Sequence, residues 1–251
     1  LSAVCIVMVN IKAEEPKWEI FNDKNSGISN DVINDIVIDR QGNKWIATSH
    51  GLVKYDGKSW VVFDTVNSGI PANLISSVCL DYNQNIWIST LTNGIAKFDG
   101  KEKWDIYNTK NSPLASPKTW SLKVDIYDNV WVCISGGGIA RLSGKDWIIY
   151  NKDNSKIKNN FVTTITIGKD NAIWLTPGGE GIAMYFDNSW TFFNNKNTKL
   201  HENYVVSLDI DEKGNHWIGT FPGAGLIRIS DSAWSFYTQY HRIFLLTEQG
   251  Q

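Results

Sequence analysis

Apolar and polar residues alternate in short runs, and the same set of runs returns along the chain about every 43 residues. One member of the set is INDIVID at 33–39, and its counterparts end at residues 81, 125, 168 and 211. A period of two over roughly four to eight residues is typical of a β-strand. No run has the 3.6-residue period of an amphipathic helix. The pattern therefore predicts an all-β protein.

Tryptophan marks the repeat at two positions, one in the second run of each unit and one at the start of the fourth. The first series is Trp45, Trp87, Trp131, Trp174 and Trp217, and the second is Trp18, Trp60, Trp104, Trp147, Trp190 and Trp234. Polar turns join the runs, because Gly and Asn tolerate the positive φ of tight hairpins. Four antiparallel strands per unit form the blade of a β-propeller. An open β-solenoid or one large sandwich is the alternative.

The predicted fold is a β-propeller of four-stranded antiparallel blades over residues 14–237, built from five repeats. Runs one to three occur five times but run four occurs six times, because WEIF at 18–21 precedes the first full unit. The tail at 238–251 matches nothing in the repeat. The chain is therefore either a five-bladed propeller with one surplus strand or part of a larger propeller.

The first residues, LSAVCIVMV, are apolar but too few to span a bilayer as a helix. They suit the core of a secretory signal, so residues 1–13 are interpreted as a signal-peptide remnant. A buried first strand is the alternative. Cys5 does not resemble a lipoprotein anchor, because Val4 precedes it and the apolar run continues past it.

The remaining composition excludes several classes of function. The formal net charge of -2 gives no electrostatic case for binding nucleic acid or an anionic membrane. Cys79 and Cys133 lack zinc-type spacing, and we expect two buried thiols rather than a disulfide. The recurring aspartates, such as Asp39 and Asp81, lack the further carboxylates of a calcium loop, so turn chemistry is favoured over a metal. No cofactor is predicted.

The repeated unit resembles the two-component regulator propeller repeat over about residues 18–237. The first copy carries the match at Asp39, Gly42, Asn43, Trp45, Ile46, Thr48, Gly51 and Leu52, and the last copy carries it at Asp211, Gly214, Asn215, Trp217, Ile218, Gly219, Thr220, Gly225 and Leu226. The match weakens at Gly168, where other copies have Asp, and at Asp187-Asn188, where Gly is lost. We expect both changes to affect turns and no site.

The resemblance implies an exported bacterial sensor region, periplasmic or extracellular, which in that family often precedes a membrane span and a histidine kinase. Stand-alone secreted members also exist. Family propellers usually have more than five blades, which favours a fragment of a longer sensor. A membrane is expected as a partner only if a downstream segment is missing.

Residues shared by every copy are expected to be structural, so function is sought where the copies differ. The loop between runs two and three varies in length and content, and Trp120 is the one tryptophan outside both series. In a propeller these positions gather on one face around the central channel, where Trp120 either fills a gap or offers a stacking platform. The ligand-binding candidates are Trp120, His50, Asn93, Glu180 and Phe221.

His216 occupies a strand position where other copies have Lys44, Ile86, Val130 and Ile173, and it is interpreted as a surface residue. No catalytic triad, metalloprotease motif or phosphate-binding glycine loop is found. We therefore expect a non-enzymatic propeller that binds an unknown small molecule, a glycan among the options, or a protein. The alternatives are a propeller enzyme of lyase type, acting on a polysaccharide or cyclic ester, and a structural or adhesive interaction module.

Overall fold

The structure is a computed structural model that describes residues 5–8, 18–28, 32–221, 225–230 and 233–237. Every regular element among these residues is a β-strand, and the strands of each sheet follow one another in chain order. None of these described residues forms an apolar helix long enough to cross a bilayer. The chain is thus an all-β protein with the β-propeller fold that the repeat predicted.

A short two-stranded sheet precedes five four-stranded antiparallel blades. The short sheet consists of β1 (Cys5–Met8) and β2 (Trp18–Phe21). Blade 1 contains β3 (Ile33–Ile38), β4 (Lys44–Thr48), β5 (Gly51–Tyr55) and β6 (Trp60–Phe63); blade 2 contains β7 (Ile75–Leu80), β8 (Ile86–Thr90), β9 (Ile95–Phe98) and β10 (Trp104–Tyr107). Blade 3 contains β11 (Thr119–Val124), β12 (Val130–Ile134), β13 (Gly138–Ser143) and β14 (Asp146–Tyr150); blade 4 contains β15 (Val162–Ile167), β16 (Ile173–Pro177), β17 (Ile182–Phe186) and β18 (Ser189–Phe193); blade 5 contains β19 (Val205–Ile210), β20 (His216–Thr220), β21 (Gly225–Ser230) and β22 (Ala233–Tyr237).

The chain divides into two compact units. The first comprises residues 1–112 and 117–119 and holds the short sheet with blades 1 and 2. The second comprises residues 113–116 and 120–251 and holds blades 4 and 5 together with blade 3 from Trp120 onward. Each unit has a hydrophobic core of its own between neighbouring blades.

The turn after the first strand explains why Asp and Asn recur ahead of the first tryptophan series. In blade 1, one carboxylate oxygen of Asp39 accepts hydrogen bonds from the backbone N–H groups of Gln41 and Asn43. The other oxygen accepts the Asn43 side-chain amide at 2.8 Å and the Trp45 indole N–H at 3.0 Å. The same Asp–Trp bond forms in blades 2, 3 and 5, at 3.2, 2.9 and 3.0 Å. These aspartates are engaged in turn chemistry, as predicted.

A glycine stands at the start of the third strand in blades 1 to 4, because the neighbouring backbone leaves no room for a side chain. Gly51, Gly94, Gly138 and Gly181 all have positive φ, and a Cβ on any of them would clash with the carbonyl oxygen of the residue that ends the fourth strand. In blade 1 that residue is Phe63. Any larger residue would push the third and fourth strands apart.

An asparagine recurs in the loop that follows the fourth strand, and it holds the end of that strand through two hydrogen bonds. In blade 1, the Asn67 side-chain oxygen accepts the Asp64 backbone N–H, and its amide donates to the Val62 carbonyl oxygen, both at 3.0 Å. Asn25, Asn111, Asn154 and Asn197 form the same pair of bonds in their own copies. These side chains therefore cap the local backbone.

In the first unit, Phe98 fills the space between blades 1 and 2. Its ring stacks on Trp104 at 4.4 Å and contacts Phe63 at 5.1 Å and Trp45 at 6.1 Å between centroids. Phe98 and Trp45 are 1% and 2% exposed. The tryptophans of the repeat therefore bury apolar area between blades within this unit.

In the second unit, Tyr185 fills the corresponding space between blades 3 and 4. Its ring lies 4.9 Å from Trp190, 5.3 Å from Tyr150 and 5.7 Å from Trp131. Burial and the nearby Tyr185 hydroxyl raise the pKa of Tyr150 to about 12. The Tyr150 phenol therefore stays neutral in this packed layer at physiological pH.

The surplus copy of run four is the strand β2, and it packs on blade 1 as the fourth strand of a preceding blade would. Phe21 contacts Tyr55 at 5.6 Å and Trp60 at 5.3 Å. Within the interpreted signal remnant at 1–13, the structure describes only Cys5–Met8, which pair with β2. That interpretation stays a prediction, and the tail at 238–251 lies outside the described residues.

Cys79 and Cys133 are both buried thiols, as predicted. Cys133 lies on β12 within the core of the second unit. Burial raises the pKa of the Cys133 thiol far above its usual value, so it does not form the thiolate that reacts or binds metals.

Candidate functional site

In blades 1, 2, 4 and 5, the loop between the second and third strands meets the loop that leads into the first strand. The residue after the second strand donates its backbone N–H to the residue just before the first strand. The pairs are Ser49–Val32, Leu91–Leu74, Gly178–Phe161 and Phe221–Tyr204, at 2.8–3.2 Å. The two loops that differ most between copies are thus hydrogen-bonded to each other, and their side chains share one end of the blade.

In the second unit this end carries four aromatic side chains, called here the aromatic rim: Trp120, Phe161, Tyr204 and Phe221. Trp120 and Phe161 meet edge to face at 6.1 Å, and Tyr204 and Phe221 do so at 6.3 Å. Phe161, Tyr204 and Phe221 are 40%, 49% and 60% exposed. Exposed rings gathered at one end of a sheet are unusual unless they contact something.

The two aromatic pairs lie on adjacent blades within the second unit. The first strands of blades 4 and 5 are joined by hydrogen bonds from Thr164 to the Val206 carbonyl and from Thr166 to Asp209, at 3.4 and 3.3 Å. Phe161 directly precedes one of these strands and Tyr204 directly precedes the other. The rim therefore follows the starts of consecutive first strands.

Trp120 is half-buried, and its ring packs against the core between blades 3 and 4 as well as against Phe161. The position holds Asn34, Ser76, Thr163 and Val206 in the other blades. Its packing against the core fits the gap-filling interpretation, and the stacking platform stays a prediction. A change at Trp120 is therefore expected to affect stability as well as surface.

Glu180 lies in the loop from Pro177 to Gly181, beside the rim. This loop is held by hydrogen bonds from the Gly178 N–H to the Phe161 carbonyl and from the Asn159 side-chain amide to the Gly178 carbonyl, at 2.8 and 2.7 Å. Glu180 is half-buried and donates its own N–H to Pro177. A carboxylate is thus available in the same blade end as Phe161.

His50 and Asn93 belong to the first unit, so the structure brings together only three of the five predicted site residues in one unit. His50 is exposed in the turn between β4 and β5, where its N–H is held by the Thr48 hydroxyl. The Asn93 side-chain amide donates to the Pro71 carbonyl at 3.1 Å. This amide holds its own loop.

Phe161 and Tyr204 were missed by the sequence analysis, although a signal existed. Both stand one residue ahead of a first strand, where the other copies have Val32, Leu74 and Lys118. The comparison between copies that singled out Trp120 applies equally to this position. The hydrogen bonds between the two loops show why it matters, since it places each ring beside a residue of the other loop.

The interpretation of His216 as a surface residue was wrong. Its ring lies edge-on to Trp174 at 4.4 Å, and its Nε2 atom is buried without a hydrogen-bond partner among the described residues. Burial lowers the pKa of His216, against the opposing charges of Asp170 and Asp211. The side chain lines a cavity of about 580 Å³ in the second unit.

Blade 4 departs from the common turn at Gly168. Without the usual Asp, and with Ala172 in place of Asn, it lacks the side-chain hydrogen bonds that hold the first tryptophan of the other blades. Asp170 instead accepts the Ala172 N–H at 3.1 Å. Trp174, the tryptophan concerned, lines the same cavity as His216. The expectation that the change affects no site stays a prediction.

Blades with a common scaffold and a variable end define a β-propeller built from repeats. The model of the family described as Two component regulator propeller matches residues 69–92 of this chain. This match confirms the resemblance drawn from the recurring motif. No curated protein sequence matches the chain.

Solved structures with the same fold include the extracellular domain of the putative hybrid two component system BT3049 from B. thetaiotaomicron, with 24% identity and a TM-score of 0.66 over 83% of this chain and 30% of that one. Virginiamycin B lyase from Staphylococcus aureus matches with 16% identity and a TM-score of 0.66, over 82% and 69%. PorZ, a surface component of the type-IX secretion system of Porphyromonas gingivalis, matches with 17% identity and a TM-score of 0.65, over 85% and 34%.

At these identities the likeness shows the fold. The chain spans about 30% of the length of the BT3049 extracellular domain that it matches. The activities and partners of the whole proteins therefore concern those proteins, whereas the shared feature is the stack of four-stranded blades.

Proposed function

We propose that the chain is a non-enzymatic signal-input propeller, exported from a bacterial cell, that binds a ligand through the aromatic rim. The observation that carries the proposal is the concentration of exposed rings at the variable end of blades 4 and 5. Rings with one face free and one edge packed suit a ligand with a flat apolar face, such as a sugar ring or an aromatic group.

The sensory part of the proposal is supported by the repeat family and by the fold shared with extracellular domains of putative two component systems. The chemical part is supported by the contrast between the units. In the first unit the residues ahead of the first strands are Val32 and Leu74, so the rim is confined to the second. Glu180, half-buried beside Phe161, supplies an acceptor for a sugar hydroxyl or amide.

Binding of a panel of oligosaccharides and aromatic compounds, measured by calorimetry, tests the proposal. We expect Phe221→Ala and Phe161→Ala each to weaken binding about tenfold, the effect of losing roughly 1.4 kcal/mol of stacking. Tyr127→Ala is the matched control, because Tyr127 is also an exposed ring but lies in the turn at the other end of blade 3. It should leave binding unchanged.

Trp120→Ala separates site from scaffold. We expect this variant to have a lower melting temperature, because the Trp120 ring packs against the core. Weaker binding, measured where the variant is folded, supports a direct contact with the ligand, whereas unchanged affinity assigns Trp120 to packing alone. Equal loss of binding in the rim variants and in Tyr127→Ala would contradict the rim as the site. Turnover of a panel member that disappears in Glu180→Gln or His50→Ala would instead favour a lyase-type enzyme.

A further inference from the structure

A cavity of about 580 Å³ opens between blades 4 and 5 of the second unit. Its walls include Trp174, Phe193 and Leu200 on one side and His216, Ile229 and Trp234 on the other. These residues lie on the sides of the blades, away from the rim residues, none of which lines the cavity. The cavity is thus a second candidate site, separate from the aromatic rim.

The cavity lies where several other blades place an aromatic ring. Ile229 pairs across the blade with Trp234 on one neighbouring strand and with His216 on the other. Phe98 in blade 2 pairs in the same way with Trp104 and Ile86, and Tyr185 in blade 4 with Trp190 and Ile173. The equivalent position holds Tyr55 in blade 1 and Leu142 in blade 3. Three of the five blades therefore carry a ring there, whereas Ile229 and Leu142 carry none.

In blades 2 and 4 the ring at this position completes an aromatic layer. Phe98 contacts three other rings in the first unit, and Tyr185 contacts three in the second. Trp174 and Phe193 stack on each other at 5.4 Å and remain half-buried, whereas Trp45 and Trp131 are almost fully buried. The apolar walls that would contact a ring are present, and the ring is not.

His216 adds a buried polar atom to this cavity, whose lining also includes Asn197, Thr198 and Lys199. The equivalent positions next to Phe98 and Tyr185 hold Ile86 and Ile173. The buried Nε2 of His216 has no hydrogen-bond partner among the described residues, and such an atom is destabilising unless something pairs with it. Because burial lowers its pKa, His216 is neutral near pH 7 and its two nitrogens can donate one hydrogen bond and accept another.

We propose that the cavity between blades 4 and 5 binds a small, flat aromatic molecule with one hydrogen-bonding group, whose ring takes the place that Phe98 and Tyr185 fill elsewhere and whose polar group pairs with His216. Phenol and indole have this chemistry. The ligand completes the aromatic layer, and it does so at a site separate from the rim.

Ligand-observed NMR and calorimetric titration of the full chain with phenol, indole and toluene test the proposal. We expect saturable binding of phenol and indole to the wild type. Ile229→Phe supplies the ring from the chain itself and should weaken binding of all three at least tenfold. His216→Ile, which installs the residue found at the equivalent positions, should weaken phenol at least tenfold but leave toluene within twofold.

The matched control is Phe221→Ala, which should not change phenol affinity, so that failure of the rim proposal and failure of this one are distinguishable. Circular dichroism and the melting temperature establish that each variant is folded. If Ile229→Phe does not fold, the ratio of phenol to toluene affinity in His216→Ile decides. No saturable binding to the wild type, or an unchanged ratio in His216→Ile, would overturn the proposal.

Discussion

Blades 1 and 2 in the first unit and blades 4 and 5 in the second are built from the same strands with the same tryptophans, yet they pack differently. Between blades 1 and 2, Phe98 is surrounded by three rings and only 1% exposed. Between blades 4 and 5, Ile229 holds that position and a cavity remains. A propeller blade thus tolerates the loss of one inter-blade ring and gains a potential binding site.

The largest effect is expected from deleting the ring that distinguishes the two regions. Phe98→Ala removes a fully buried aromatic side chain and should lower the free energy of unfolding by about 3–5 kcal/mol. Ile229→Ala is the matched variant and should cost less than half as much, since Ile229 is half-buried beside an existing cavity. Urea unfolding of both variants measures the difference. Equal losses would show that the two inter-blade regions are packed equally well.

A second effect concerns the turns that hold the first tryptophan series. Asp81→Ala leaves the Asn85 N–H, the Trp87 indole and the Lys97 ammonium without their acceptor, and should cost about 1–3 kcal/mol. Gly168→Ala is the control in blade 4, where the position equivalent to Asp81 carries no carboxylate. Its Cβ would come within 2.6 Å of Asp170 Oδ1, the movable end of a side chain, so the change should cost less than Asp81→Ala. The comparison is made by chemical denaturation. A loss in Gly168→Ala as large as that in Asp81→Ala would contradict it.

The smallest effect is a change in the response to acid. Burial alone would raise the pKa of Asp211, but hydrogen bonds from Asn215 and Trp217 outweigh it and lower the pKa to about 2. A carboxyl whose pKa is lower in the folded chain stabilises the fold above the unfolded value of about 3.9, and this stabilisation is lost as pH falls to about 2.

Melting temperatures measured from about pH 5 down to about pH 2 test this expectation. Asp211→Asn should lower the melting temperature at pH 5 and fall less steeply than the wild type on acidification. Gly168→Ala should keep the wild-type slope. A variant curve parallel to the wild type would show that Asp211 contributes nothing to acid stability.

The fold was predictable because its determinants are local and repeated. The alternation at 33–39, the tryptophan spacing and the turn residues each appear five times, so the copies check one another. The positive φ of Gly42, Gln84, Asp128, Asn171 and Gly214 at one common turn position shows that a shared backbone shape tolerates different residues. Sequence comparison identifies that shape without any long-range information.

The candidate sites were only partly predictable because they depend on contacts between distant residues. Trp120 and Phe221 were identified as departures from the repeat, but the partners that make them a cluster, Phe161 and Tyr204, follow from the hydrogen bonds between two loops. The cavity depends on what is absent at Ile229. An isoleucine in a strand gives no sign that the neighbouring blade leaves space for an aromatic ring.

The hydrogen-bonded turn of Asp39, Asn43 and Trp45 is complete within seven consecutive residues. A gene duplication that copies one unit therefore carries this turn along intact, wherever the copy is inserted. The ring at Phe98 or Tyr185 is different, because it contacts residues of the preceding blade. A duplicated blade inherits its own turns at once, whereas the packing between neighbouring blades has to be selected afterwards. Where that packing leaves a cavity, as at Ile229, a new binding site can begin.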